Sequence, residues 1–227
     1  MSELVVLAGV SKRYPPPTAV NALVDVSLRI GAGETMAITG PSGSGKSTML
    51  NILGTLEVPT SGRLTIDGID ASTLGDDALS ALRANRIGFV FQQFHLLRHL
   101  SILDNVATGL LYRGAANKER RSAARDALER VGLAGRSGHR PAQLSGGEQQ
   151  RAAIARAIVG SPSLVLADEP TGNLDSVSGE SVIDLLRGLA GPNTTVVVIT
   201  HDARVAASMH RRVVLKDGRI IDDEAAA

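Results

Sequence analysis

Residues Gly40-Pro41-Ser42-Gly43-Ser44-Gly45-Lys46-Ser47 restrict what this chain can fold into more than any other stretch. Their spacing is G-x-x-x-x-G-K-[ST], in which glycines let successive backbone N–H groups turn inward around a phosphate. Ahead of the loop, Thr35-Met36-Ala37-Ile38-Thr39 reads as a short buried strand. Behind it, Thr48 to Leu53 reads as an apolar helix stopped by Gly54. Strand, glycine loop and helix in that order belong to α/β proteins, where the helix N-terminus adds a partial positive charge to the anion site. In such a loop Lys46 is expected to reach the β- and γ-phosphates of a nucleotide, and the Ser47 hydroxyl to ligate Mg²⁺. The motif alone recurs by chance in roughly 1 of 100 chains this long, so the flanks carry the assignment.

Other apolar runs also end on polar groups. Ser163 to Ala167 is a continuous apolar strand ending in Asp168-Glu169. Thr194 to Thr200 ends at His201, and Ile87 to Phe91 is followed by Gln92. In open parallel sheets the ligand crevice lies at the carboxyl ends of the strands. The phosphate loop, Asp168-Glu169 and His201 are therefore expected to share one site. There Asp168 supplies the anionic group a Mg²⁺–nucleotide site needs, and Glu169 orients or deprotonates a water. His201 is expected to contact the γ-phosphate.

Toward the N-terminus, Leu4–Val10 and Ala22–Ile30 are β-rich, the second alternating at Val24, Val26, Leu28 and Ile30. Lys12 to Pro17 between them reads as a proline-stiffened loop carrying Tyr14. That ring is either an exposed loop tyrosine or a surface on which a base stacks, with Val20 as a further apolar contact. From about 94 to 160 the pattern turns helical and interrupts the alternation of strands and helices, as an inserted helical subdomain would. Within it Ser145 and Glu148 have the spacing of a capping box. Gly146-Gly147 weakens that helix by roughly 1 kcal/mol per glycine relative to Ala, a cost that close approach of a ligand would explain. Arg212 to Ile221 reads as a hairpin around Asp217-Gly218, with Asp222–Ala227 frayed.

A net charge of +1 and 2% aromatic residues argue against a nucleic-acid surface. No stretch approaches the ~18 apolar residues of a membrane span, and Met1-Ser2-Glu3-Leu4 lacks a basic leader. A cytoplasmic chain is expected, with any membrane part supplied by another.

Taken together, these motifs resemble the ATP-binding-cassette (ABC) ATPases over essentially the whole chain. Gly40–Ser47 matches Walker A, Gln92 the Q-loop glutamine, and Leu144-Ser145-Gly146-Gly147-Glu148-Gln149 the signature sequence. Asp168 and Glu169 match the Walker B aspartate and catalytic glutamate, Gly172–Asp175 the D-loop, and His201 the switch histidine. The resemblance implies one ABC ATPase domain over 1–227, with a mainly parallel sheet and an N-terminal antiparallel β-subdomain. Residues 1–93 and 161–227 would form the catalytic core and 94–160 the helical subdomain. It implies ATP and Mg²⁺ as ligands, with Tyr14 stacking on adenine, and Val20 and Gly40 to Thr48 as further ATP contacts. Ser47, Gln92 and Asp168 would serve the metal, and Glu169, His201, Gln92 and Lys46 the chemistry. It also implies a head-to-tail homodimer in which Ser145, Gly146, Gly147 and Glu148 close the other copy's ATP site.

Gly88 to Leu97 and Pro170 to Asp175 look like the macrolide-export and lipoprotein-release group, with Arg98 and Asp104 in place of that group's usual Pro and Glu. The expected role is thus to drive export or membrane extraction through a separate transmembrane permease, on the inner face of the membrane. The alternative is a relative of the cell-division type, which signals through a membrane partner without transport.

Overall fold

Two sheets form in a computed structural model that describes residues 2–17 and 19–225. In chain order the first elements are β1 (Glu3–Tyr14), β2 (Val20–Gly31), β3 (Thr35–Thr39), α1 (Lys46–Leu53), β4 (Ser61–Ile66), β5 (Ile69–Asp70), α2 (Asp76–Arg86) and β6 (Ile87–Phe91). Three helices follow, α3 (Ile102–Ala107), α4 (Asn117–Arg130) and α5 (Gly146–Ile158). The chain ends with β7 (Leu164–Asp168), α6 (Ser176–Leu189), β8 (Thr195–Ile199), α7 (Ala203–Ala207), β9 (Arg211–Lys216) and β10 (Arg219–Ala225).

The larger sheet has the order β10-β9-β3-β8-β7-β6, with every pair parallel except β10–β9. The smaller sheet, β2-β1-β4-β5, is antiparallel throughout. Central strands covered on both faces must be apolar at successive positions. Accordingly Ala37, Val165, Ala167, Val196 and Val198 pack with α5, α6 and the helices of 102–131. Their neighbours Met36, Ile38, Leu164, Leu166, Val197 and Ile199 pack on the opposite face with α1 and the smaller sheet.

Three local readings differ in the structure. β1 continues through Lys12 and Arg13 to Tyr14, which pairs with Val20, so within Lys12 to Pro17 only the prolines lie outside the strand. In β2, Asp25 takes φ 52° and the register with β1 shifts, so Leu23 rather than Val24 fills the core ahead of Val26. At the C-terminus, 222–225 are ordered in β10 rather than frayed, because Arg211 forks onto Asp223 at 2.6 and 2.7 Å and the strand pairs with β9. Residues 226–227 lie outside the described part.

α5 leans directly on β6 at Gly88, where an added Cβ would stand 2.3 Å from the Ala157 carbonyl oxygen. Backbone cannot yield as a flexible side chain can. Gly88→Ala should therefore destabilise by about 1–3 kcal/mol, lowering the melting temperature by roughly 3–10 °C in a thermal scan.

Candidate active site

The loop between β3 and α1 leads straight into helix. Gly45 caps α1 with φ 104°, and a Cβ there would stand 2.3 Å from the Ala22 carbonyl oxygen, so both conformation and space require glycine. Lys46 Nζ donates to the carbonyl oxygens of Gly40 and Pro41 at 2.8 and 2.9 Å, holding its charge over the loop. A cavity of about 780 Å³ opens here, lined by Tyr14, Val20, Gly40 to Gly43, Gly45 to Thr48, Gln92, Asp168, Glu169 and His201, among others. Ser44 is the exception in the loop: its side chain is buried beneath the cavity and its Oγ has no partner. Its N–H is taken by the Pro41 carbonyl at 3.2 Å.

Four parallel strands deliver polar groups to this one edge of the sheet: β3 the loop, β6 Gln92, β7 Asp168 and Glu169, β8 His201. Phe91 is in register with Asp168, and Asp168 with Ile199. Glu169 adopts φ 44°, a sparsely populated conformation for a non-glycine residue. It is fixed there by its N–H to the Ile199 carbonyl at 2.9 Å and by the Gly172 N–H to its own carbonyl at 3.0 Å. Its carboxylate then spans to the end of β8. One oxygen accepts from the His201 N–H at 3.0 Å and lies 2.7 Å from His201 Nδ1; the other accepts from the Thr200 hydroxyl at 3.1 Å. Gln92 is tied to the neighbouring turn: its carbonyl accepts from Asn173 Nδ2 at 2.9 Å, and its own amide donates back at 3.4 Å.

Burial raises the pKa of Asp168, the adjacent Glu169 charge raises it further, and Lys46 opposes both. A carboxyl whose pKa rises on folding stabilises the fold below its unfolded pKa and loses that contribution as pH climbs through the folded value. The charged form of Asp168 is thus disfavoured by the fold. Asp168→Asn should therefore raise the melting temperature of the nucleotide-free protein at pH 7, in a differential scan. That gain should vanish toward pH 3. No group of three or more His, Asp or Glu side chains able to hold a metal exists among the described residues. The Ser47 hydroxyl at the start of α1 and the Asp168 carboxylate at the end of β7 line the same cavity. This sparse oxygen set fits Mg²⁺, which keeps its remaining ligands from phosphate and water.

At the other end of the cavity the Tyr14 hydroxyl donates to the Glu57 carboxylate, at 2.9 and 3.0 Å to its two oxygens. The tyrosine is thus anchored by its tip rather than loose in a loop.

The signature residues are elsewhere. Ser145 caps α5, its Oγ accepting from the Glu148 N–H at 3.2 Å while Glu148 accepts from the Ser145 N–H at 2.9 Å. Glu148 also pairs with Arg136 at 3.0 Å. Neither Ser145, Gly146, Gly147 nor Glu148 lines the cavity of its own chain. Gly147 has an internal reason as well, since a Cβ there would stand 3.0 Å from the Ser178 side chain of α6.

Sequence reading missed two tethers of this region. Gln150, fully buried, donates to the Pro170 carbonyl at 2.7 Å and the Phe91 carbonyl at 3.3 Å, joining α5 to the ends of β6 and β7. Arg156 donates to the carbonyls of Phe94 and His95 at 2.8 and 2.5 Å. The signal for Gln150 is its place on the core stripe, one turn before Ile154, where a polar residue needs buried partners.

Comparison with known proteins agrees with this geometry. A match to the ABC transporter family spans residues 23–172. The macrolide export ATP-binding/permease proteins MacB 1/2 of Paracoccus denitrificans and MacB of Chromobacterium violaceum are 51% and 50% identical over 221 residues, 97% of this chain. The chain spans about a third of the length of these relatives, 33% and 34%. The dimeric ATP-binding cassette MJ0796, solved in a post-hydrolysis state with ADP and Pi, superposes with a TM-score of 0.88 at 46% identity. That match covers 99% of both chains. With the phosphate loop, the carboxylate pair and the capped glycine turn in one arrangement, this chain belongs to the ABC transporter family and is an ATP-binding cassette ATPase.

Proposed function

We propose that two copies, head to tail, hydrolyse MgATP between them and so drive a separate transmembrane permease in exporting a substrate or extracting it from the membrane. The observation that carries this reading is the absence of Ser145 to Glu148 from the cavity of their own chain. A helix N-terminus suits an anion, and the phosphates of a second copy would supply one. Tyr14 and Val20 bind the base, and the loop amides and Lys46 bind the phosphates. Ser47, Asp168 and Gln92 hold Mg²⁺, whose chemistry is to neutralise charge on the phosphate oxygens. Glu169 receives the proton of the attacking water, and His201 holds the γ-phosphate and steadies Glu169.

In this reading residues 94–160 form the arm that swings the signature helix, and 1–93 with 161–227 form the core. Gln150 links that arm to Phe91 at the end of β6 and to Pro170 after β7, while Arg156 holds Phe94 and His95 where the arm begins. The surface from Gln92 to Arg98 would pass the motion to the permease on the inner face of the membrane. No helix among the described residues is long and apolar enough to cross a membrane.

A photo-crosslinker at Arg98, activated in native membranes, tests this. Capture of a multi-spanning membrane protein is expected, and capture of soluble proteins alone would count against it. Reconstituting that pair in proteoliposomes then separates transport from signalling: ATP-driven movement of a solute or lipid supports export, whereas stimulated hydrolysis without movement supports the cell-division type of role.

A further inference from the structure

We propose that Glu57 is a positioning residue for the nucleobase, holding the Tyr14 ring through the tyrosine hydroxyl and through Lys12. The inference rests on the reading that Tyr14 stacks on the base. Glu57 lies in the turn after α1, whose backbone is pinned by the N–H groups of Leu56 and Glu57 donating to the Asn51 carbonyl at 2.8 and 3.2 Å. Its carboxylate collects three donors from two elements, β1 and α1: the Tyr14 hydroxyl, Lys12 Nζ at 3.1 Å and Asn51 Nδ2 at 2.9 Å. Lys12 is fixed in turn by the Val58 carbonyl at 2.9 Å and stands 5.4 Å from the centre of the Tyr14 ring. The ammonium therefore occupies the neighbourhood of the ring as a cation–π partner, while the ring still lines the nucleotide cavity.

Lys12 and Glu57 are shielded, with side chains 16% and 26% exposed, so water screens this pair less than an ordinary surface one. Burial pushes the Glu57 pKa up, but the bonds from Asn51, Tyr14 and Lys12 outweigh it and hold the carboxyl below its usual range. The Tyr14 hydroxyl also lies 3.4 Å from Thr48 Oγ1 on α1, the helix that begins at Lys46. Base end and phosphate end are thereby referred to one rigid element. An unanchored tyrosine next to a proline turn would have to be ordered at each binding event, and a ring already ordered avoids that loss.

The test is equilibrium binding of two probes, ATP and inorganic tripolyphosphate, which has the charge of the phosphate tail and no base. Glu57→Ala should weaken ATP binding about 3–10-fold, the range expected for losing the order of one side chain. Tripolyphosphate binding should be unchanged. In a Tyr14→Ala background, where there is no ring to hold, Glu57→Ala should cost nothing further. Glu57→Gln, which preserves shape and one acceptor, serves if the alanine variant folds poorly, and should fall between it and the natural protein.

Equal weakening of both probes would overturn the proposal, since Glu57 would then be a prop for α1 and the phosphate loop. Unchanged ATP affinity, or a cost that persists without Tyr14, would overturn it too. Tyr14→Ala binding ATP at full affinity is a separate result: it would remove the stacking reading itself.

Discussion

Glu169→Gln should bind ATP as the natural protein does, hydrolyse it about 10²–10⁴-fold more slowly, and accumulate as an ATP-dependent dimer. Gln is nearly isosteric with Glu: its oxygen can take the His201 N–H, and its amide can donate to the Thr200 hydroxyl in place of the second carboxylate oxygen. The unusual backbone at 169 is held by main-chain bonds that the substitution leaves in place. What disappears is the carboxylate's capacity to accept a proton. Losing that negative charge also lowers the pKa of Asp168, because Glu169 is one of the two causes that raise it. Asp168 is then more readily ionised, so the affinity for MgATP should not fall. Single-turnover hydrolysis with light scattering in ATP and in ADP checks both halves. Turnover within about threefold of the natural rate would assign the base elsewhere, since a general base contributes at least ~10².

Much of this site could be read from residue order. The strand, glycine loop and helix around Lys46 are local, and each neighbour reinforces the next. Asp168-Glu169 and His201 were legible because buried parallel strands are continuous apolar runs, and whatever follows such a run lies at one edge of the sheet. The residues that escaped act over long separations. Glu57 meets Tyr14 only after β1 has folded beside α1, and Gln150 meets Phe91 and Pro170 only after α5 has packed on β6. Glu57 has no periodic signature, and Gln150 shows only as a polar residue on an apolar stripe, because the partners that explain each lie far away in sequence. Ser44 shows a different limit of residue order. It sits inside the glycine loop, yet its own side chain is buried beside Gly40, which has no Cβ to oppose it.

Ser145→Asp should stop hydrolysis without weakening the fold, and that pairing separates the capping role of this residue from its role toward a second copy. Asp caps helices as well as Ser does, so α5 keeps its start and stability should change by less than about 0.5 kcal/mol. Its carboxylate would nonetheless stand where an incoming phosphate must dock, and repulsion there should cost about 10²–10³-fold in rate, comparable to losing a donor to a developing anion. Ser145→Ala should behave in reverse. The bond from the Glu148 N–H is lost and the fold weakens by about 1 kcal/mol, but the helix N-terminus remains open to an anion and hydrolysis falls less. A capped helix with no further duty would give the same order in both measurements, the least stable variant being the least active. Mixing decides which copy is served. A dimer of one Ser145→Asp copy and one Lys46→Ala copy contains one site with both defects and one with Lys46 and Ser145 both intact. Purified mixed dimers should therefore retain one nucleotide per dimer and hydrolyse ATP above either parent. Mixed dimers that retain no nucleotide and show no activity above the parents would mean that each chain completes its own site. That outcome would need Ser145 to reach a cavity which, in this structure, it does not line.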